Sequence, residues 1–321
     1  MATLNTLACL TTAGNTGKEA CAFLPANITG VLITPKGYIL NQTQIAALQA
    51  SLIAAVQNPS KGARVFPIYG FETPNDNSED ITVQTTGYGG KHVVKEGYND
   101  WKYDYVDGGV TLHKNIRLLN GNSHDFLFID ANNTIIGTAG TGSDGFPGLK
   151  AIPCDGGFFW AHPWKANDGS KVTTLMIQFV FHPKYMNEYL AFVKADFDIA
   201  TTAIGLVDVT LTSPSANATS GSYNVVAKTA GVGTNLGDIY PVELAIGTSW
   251  LAKDENGLNI PVLSSTYNAA INGYVIALDK ASANYPTVAG KKVTITGNTP
   301  AILTTNGVAG YEFGAVSIVK N

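Results

Sequence analysis

Apolar and polar residues alternate in short runs along most of the chain, a pattern typical of β-strands. The clearest run spans residues 171–182, where every second side chain from Leu175 to Phe181 is a large apolar one and Pro183 ends the segment. Further strands are predicted at 30–34, 64–71, 81–86, 111–119, 125–130 and 133–138. Pro67 lacks an amide hydrogen, which favours an edge position for the strand that contains it.

One segment has helical periodicity instead. Asn41 is a suitable N-cap, Gln44 stands three residues later as in a capping box, and Asn58 followed by Pro59 ends the helix. The apolar residues that share one face are Ile45, Leu48, Leu52, Ile53 and Val56. We therefore predict a helix over 41–56 that packs against a sheet. Residues 184–195 fit a second helix or a strand.

Composition changes near residue 206. Residues 1–206 carry 14 basic and 17 acidic side chains together with every His and Cys, whereas residues 207–321 carry 6 and 7 charges. We predict two mainly β domains: a β-barrel or sandwich with one or two helices over 1–206, and an immunoglobulin-like sandwich over 207–321. The strands predicted for the second domain are 207–212, 222–228, 241–252, 274–279, 292–296 and 312–319.

The charged fraction and the net charge of the chain argue against some classes of function. Only 14% of the residues are charged and the net charge is −4, which argues against a protein that binds nucleic acid tightly. A low charge density suits a subunit that neighbouring subunits cover, because charge is costly to bury in an interface. The sequence shows no signal peptide and no long apolar run, so we expect a protein without a membrane anchor that is made in a cytoplasm-like compartment.

The chemistry-bearing residues are scattered. The three cysteines are widely spaced, and the five histidines form no metal-binding or nucleophile–base motif. Ser123, His124 and Asp125 are adjacent, so their side chains would alternate between strand faces and could not form a relay. The glycine-rich stretches 87–90 and 137–148 lack a phosphate-binding pattern. We therefore predict no enzymatic activity, no cofactor and no metal.

The segment 72–107 is long, polar and glycine-rich, yet dense in aromatic residues. Because interfaces are enriched in Tyr and Trp, we predict that this segment makes a subunit contact. The residues assigned to that contact are Tyr88, Lys91, Lys95, Tyr98, Trp101, Tyr103 and Tyr105. Within it, the carboxylates Asp100, Asp104 and Asp107 interleave with aromatics. This pattern predicts either a sugar-binding cleft or a strand with one aromatic and one charged face.

This organisation resembles the tail-tube proteins of tailed bacteriophages. The resemblance is carried by the strands and single amphipathic helix between residues 30 and 204, the long polar insertion at 72–107, the strong strand at 171–182 and the appended immunoglobulin-like domain. It implies a β-barrel protomer that closes into rings, usually hexameric, which stack into a tube that conducts DNA. An acidic balance suits such a conduit, because basic groups would hold the phosphates of passing DNA.

The implied partners are other copies of the chain and other virion proteins, with DNA passing through without sequence-specific binding. The implied location is the virion tail, assembled in the host cytoplasm. Two alternatives are a capsid decoration protein or another tail component, which share the appended domain, and a carbohydrate-binding or adhesin β-sandwich protein.

Overall fold

The computed structural model of the protein describes residues 4–6, 25–166, 173, 175–214 and 221–320. The chain divides into two compact units, Met1–Ile204 and Gly205–Asn321, with the division two residues before the boundary expected from composition. Among the described residues the structure is mainly β, as the alternating pattern predicts. No helix in this part of the chain is long and apolar enough to cross a membrane.

The first unit is built from short strands and a few short helices. Its strands are β1 (Leu4–Thr6), β2 (Ile28–Pro35), β3 (Ile39–Leu40), β4 (Phe66–Tyr69), β5 (Phe71–Asp76), β6 (Thr82–Thr85), β7 (Lys91–Lys95), β8 (Asn99–Tyr105), β9 (His124–Asp130), β10 (Thr134–Thr141), β11 (Pro147–Lys150), β12 (Phe158–Ala161), β13 (Leu175–Phe181) and β14 (Leu190–Lys194). Its helices are α1 (Gln42–Ala46), α2 (Leu48–Val56), α3 (Gly109–Arg117), α4 (Lys184–Asn187) and α5 (Ile199–Thr202).

Two antiparallel sheets pack face to face in this unit. The first has the order β1-β14-β10-β9-β2-β4, with β11 paired to both β10 and β3, and the second has the order β12-β13-β8-β5. Their inner faces meet in an aromatic core, where Phe126 lies 5.1 Å from Phe179 and Phe128 lies 5.2 Å from the same ring, measured between centroids. Offset and edge-on aromatic pairs of this kind add stability beyond area burial.

The predicted helix at 41–56 is confirmed as α1 and α2, which cover the outer face of the first sheet. The Asn41 side chain accepts a hydrogen bond from the Gln44 amide at 2.8 Å, and the Gln44 side chain accepts one from the Asn41 amide at 3.0 Å. A break at Ala47 separates the two helices. The apolar stripe packs against outward-facing residues of the first sheet such as Leu32 and Leu127.

The chain passes from the first sheet to the second at Gly70. Strand β4 ends the first sheet, so the edge position predicted from Pro67 is confirmed. Gly70 has φ +77°, and a Cβ at that position would lie 2.3 Å from the Asp107 carboxylate. Only glycine allows the backbone to turn the corner so close to that side chain.

Three local predictions need correction or refinement. Residues 111–119 were predicted as a strand but belong to α3, because Gly108 at φ +73° starts a turn of helix that places His113 and Ile116 on its buried face. Residues 184–195 contain both alternatives, the short helix α4 followed by the strand β14. The strand predicted at 171–182 is confirmed over Leu175–Phe181, whereas residues 171, 172 and 174 lie outside the described residues.

The second unit is a sandwich of two sheets. Its elements are β15 (Val207–Thr212), β16 (Ser222–Thr229), β17 (Trp250–Lys253), β18 (Asn259–Ile260), β19 (Val262–Asn268), β20 (Gly273–Leu278), β21 (Lys292–Gly297), α6 (Pro300–Thr305), β22 (Tyr311–Phe313) and β23 (Ala315–Val319). The sheet orders are β19-β20-β16-β15-β22 and β18-β17-β21-β23. In chain order, β19-β20-β16-β15 and β18-β17-β21-β23 match the D-E-B-A and C′-C-F-G sheets of an immunoglobulin-type sandwich, and the short β22 adds a fifth strand that pairs in parallel with β15.

Trp250 anchors the core of the second unit. It lies on β17, is 2% exposed and donates its indole N–H to the Leu244 carbonyl at 2.7 Å. Its ring packs against Tyr274 and Phe313. The strand predicted over 241–252 begins only at Trp250, since residues 243–249 form 3₁₀ turns that carry the chain across the end of the sandwich.

We predict that the two units unfold independently, because each has its own core. Trp250→Ala should remove about 3–5 kcal/mol from the second unit alone, lowering one of two calorimetric transitions of the full chain. Phe179→Ala should lower the other transition by a similar amount. If either substitution moves both transitions together, the two cores are not independent.

Candidate assembly surface

A long β-hairpin leaves the second sheet at the ends of β5 and β8. The ladder between these strands continues beyond the sheet, because the Asn77 amide donates to the Asp100 carbonyl at 2.8 Å and the Glu79 amide donates to the Tyr98 carbonyl at 3.0 Å. The hairpin then forms its own two-stranded sheet from β6 and β7. We refer to residues 77–98 as the arm.

The outer part of the arm is fully exposed and carries uncovered valines. Every side chain of β6 and β7 is exposed. Val83 lies opposite Val93, and on the other face of the ribbon Gln84 lies opposite His92. The ladder shifts register between Thr82 and Val83, and Val94, next to Val93 at this irregularity, is 60% exposed. Val83 and Val93 are 44% and 59% exposed, and the preceding Ile81 is 56% exposed. Such a ribbon is marginally stable alone in water, and the described part of the chain leaves these apolar side chains about half exposed.

The base of the arm is held in one position. A Cβ on Gly97 would lie 1.8 Å from the Glu79 carbonyl oxygen. Only glycine at position 97 therefore allows the two strands of the hairpin to approach so closely. The Tyr98 ring packs edge-on against His182 at 5.6 Å, and the Lys95 ammonium lies 5.6 Å from the centre of the same ring. The arm therefore projects from a packed base.

The structure separates the seven residues predicted for the subunit contact. Tyr88, at the tip, and Lys91 and Lys95, on β7, are exposed, and Tyr98 is half-buried at the base of the arm. For these four the contact stays a prediction.

The prediction is wrong for Tyr103 and Tyr105 on β8, which are buried in the core of their own unit, whereas for Trp101 on the same strand the contact stays a prediction. Tyr103 is 5% exposed and Tyr105 is completely buried. The half-buried Trp101 packs its ring on Phe128 and Phe181. Residues 72–107 are polar on average, but every second residue of β8 faces inward. The composition of the segment therefore did not indicate that it contains a core strand.

The same alternation decides between the two interpretations of the acidic and aromatic pattern. Asp100, Lys102 and Asp104 point away from the core, opposite to the aromatic side chains that alternate with them. Carboxylates and aromatics of β8 therefore share no cleft, which removes the basis of the sugar-binding interpretation. Partial burial raises the pKa of Asp104, and nearby Lys165 opposes that shift.

Two histidines belong to a hydrogen-bonded chain beneath α3. The ring of His113, 1% exposed, contacts the Tyr105 hydroxyl through Nδ1 at 2.5 Å and the His162 carbonyl through Nε2 at 2.5 Å. Because a carbonyl only accepts, Nε2 carries the proton and Nδ1 accepts from Tyr105. His162 Nε2 in turn contacts Gln178 Oε1 at 2.7 Å. Every member has a partner, so this arrangement is a structural tie between α3 and the sheet.

Asp125 is a structural residue. It accepts hydrogen bonds from the backbone amides of Gly37 at 2.7 Å and Cys154 at 3.4 Å, so it ties two loops to β9. His92 lies exposed on β7. Within the described residues, no group of three or more His, Cys, Asp or Glu side chains is placed to hold a metal ion.

Comparison with known proteins gives no relative: no family model, no curated protein and no solved structure matches the chain.

We predict that His113→Phe destabilises the first unit by about 2–5 kcal/mol, because it leaves the Tyr105 hydroxyl and the His162 carbonyl buried without partners. Tyr105→Phe, which unpairs only one ring nitrogen, should cost less. Urea unfolding of the full chain measures both. Equal stability of His113→Phe and the wild type would contradict the structural role.

A second prediction concerns pH. Burial raises the pKa of Asp125 above the usual 3.8, while the Gly37 and Cys154 amides oppose the shift. The folded state therefore keeps this proton to higher pH than the unfolded state, and the stability contributed by Asp125 falls as pH rises above 3.8. The free energy of unfolding of the wild type, minus that of Asp125→Asn, should decrease over this window. Asp80→Asn, at an exposed carboxylate, is the charge-matched control; a difference that increases with pH would contradict the assignment.

Proposed function

We propose that this protein is a structural subunit that assembles with copies of itself, and that the arm makes the contact between subunits. The observation that carries the proposal is the Val83–Val93 pair on the ribbon of β6 and β7, which the described part of the chain leaves about half exposed. Because these two side chains are only about half exposed, burying what remains of them favours association by about 1.5–3 kcal/mol before the costs of association are subtracted.

The dimensions of the arm support a subunit contact. It comprises 22 residues, from Asn77 to Tyr98, and a standard protein interface uses about 20–30 residues on each side. Because the packed base at Gly97 holds the arm as an extension of the sheet, it reaches outward rather than back onto its own body. A contact between an arm and a different surface of the next copy is heterologous, and such contacts generate rings or helical filaments.

Among such assemblies we propose the tail tube of a tailed bacteriophage, formed by stacked rings around a DNA channel. The supporting features are the two-sheet first unit with its long hairpin, the immunoglobulin-type second unit and the low charge fraction of 14%. Net charge of −4 suits a channel through which DNA slides. A capsid decoration protein or another tail component would use the same second unit.

The arm offers a matched experiment, because its two faces lie on the same strands. Val93→Asp places a charge in the Val83–Val93 pair, whereas His92→Asp places one opposite Gln84 on the other face of the ribbon. We expect electron microscopy and sedimentation to show rings or tubes for the wild type and His92→Asp, and monomers for Val93→Asp. Circular dichroism should show all three folded.

Either of two results would contradict the proposal: a wild type that stays monomeric over the whole accessible concentration range, or Val93→Asp particles like those of the wild type. Hollow tubes favour the tail tube. Closed rings that bind capsid shells without stacking would favour the decoration alternative.

A further inference from the structure

The outer face of the second sheet is a second surface that the described residues of its unit leave partly exposed. Phe158 and Trp160 project from β12 and are 38% and 42% exposed. Across the sheet, Phe158 is in register with Val180 of β13, which is in register with Asp100 of β8. One half of this outer face is therefore aromatic and aliphatic, and the other half is charged.

The charged half is preorganised by its own hydrogen bonds. Gln178, in register with Trp160, donates its amide to the Asp100 carboxylate at 2.7 Å. The Lys102 ammonium lies 3.7 Å from the same carboxylate, and both charged side chains are about three-quarters buried or more. A partner therefore meets a rigid polar strip beside two exposed aromatic rings, and rigid aromatic anchors are typical of binding hot spots.

At the β12 edge of this sheet the backbone groups are already hydrogen-bonded within the chain. The surface that remains for docking is therefore the outer face. Gly121 and Phe159 exchange backbone hydrogen bonds at 3.0 Å in each direction. The Asn120 side chain then continues the ladder, donating to the Ala161 carbonyl at 3.1 Å and accepting from the Ala161 amide at 2.6 Å. Because these edge groups are satisfied, a neighbour cannot extend the sheet here by adding a strand.

We propose that the outer face receives the arm of a second copy of this chain, an inference that rests on the proposed function. The Val83–Val93 pair would pack on Phe158 and Trp160. On that same arm face, one pair further toward the tip, Thr85 is opposite Lys91, which brings a cation toward the charged half of the outer face. Apolar surface meets apolar surface, and this match carries the pairing. Asp100 is already paired with Lys102, so Lys91 joins an existing ion pair and contributes to register more than to affinity.

The contact has to form between copies. The arm extends β8 past its Asp100 end, so in its own chain it lies beyond the edge of the face rather than above it. Docking in trans repeats from copy to copy, since each chain offers one arm and one outer face. The result is a heterologous series that closes into a ring or continues as a filament.

Cross-linking between two differently labelled copies tests the pairing directly. Cys9 and Cys21 are replaced by Ser, while Cys154 stays, because it is buried and burial raises its pKa to about 12. Val93→Cys protein is mixed with Trp160→Cys protein and treated with a short bis-maleimide. We expect a covalent heterodimer on a denaturing gel. The controls, His92→Cys with Trp160→Cys and Val93→Cys with Phe146→Cys, should give little product; Phe146 is an exposed aromatic on the β10–β11 turn.

Trp160→Ser supplies a second readout. It should raise the concentration needed for half-assembly at least about tenfold, whereas Phe146→Ser should leave that concentration unchanged. If Val93→Asp abolishes assembly but Trp160→Ser assembles like the wild type and no heterodimer forms, the outer face is not the receptor and the proposed function stands. If Val93→Asp also assembles normally, the proposed function fails with it.

Discussion

The two-residue period of β8 is the constraint on which the first unit depends. Tyr103 and Tyr105 face inward, and the Trp101 ring packs on core phenylalanines, whereas Asp100 and Lys102 face outward. A shift of one residue in register would bury the charges and expose the aromatics. The register of β8 with both neighbouring strands, β5 and β13, is therefore strongly specified. The same strand also continues into the arm. Core packing, surface chemistry and projection of the hairpin are thus coupled through a single segment.

The aromatic core makes that coupling stiff. Phe128 contacts Trp101, Tyr103 and both core phenylalanines of β13 within about the distances at which aromatic rings attract. Because interiors pack as densely as crystals, such a cluster transmits little motion to the strand that crosses it. A hairpin that starts from this cluster therefore has a fixed base at Gly97, whereas its outer part is a two-stranded ribbon of marginal stability.

Several edge strands of the first unit carry features that hinder strand addition. Pro67 on β4 and Pro74 on β5 remove backbone donors from edge strands, and Asn120 closes the edge of β12. These devices discourage indiscriminate strand pairing between copies. The valines of the arm are left uncovered beside them, which is the reverse of what a protein selected to remain monomeric would show.

Local pattern by itself determined much of the architecture: the mainly β fold, the capped helix at 41–56, the edge position of Pro67 and the strand over Leu175–Phe181 all follow from periodicity, capping and the missing proline donor. It predicted a strand at 111–119 because short apolar runs do not distinguish helix from strand; left-handed backbone at Gly108, and a buried partner for His113, decided for a helix. The exposed arm residues lay within the predicted contact segment, but the division of that segment into a core strand and a projecting hairpin could not be read from composition. Which face of β8 is buried, and that Trp160 shares its outer face with Asp100, depend on pairing between strands far apart in the chain, and only the tertiary structure supplies that pairing.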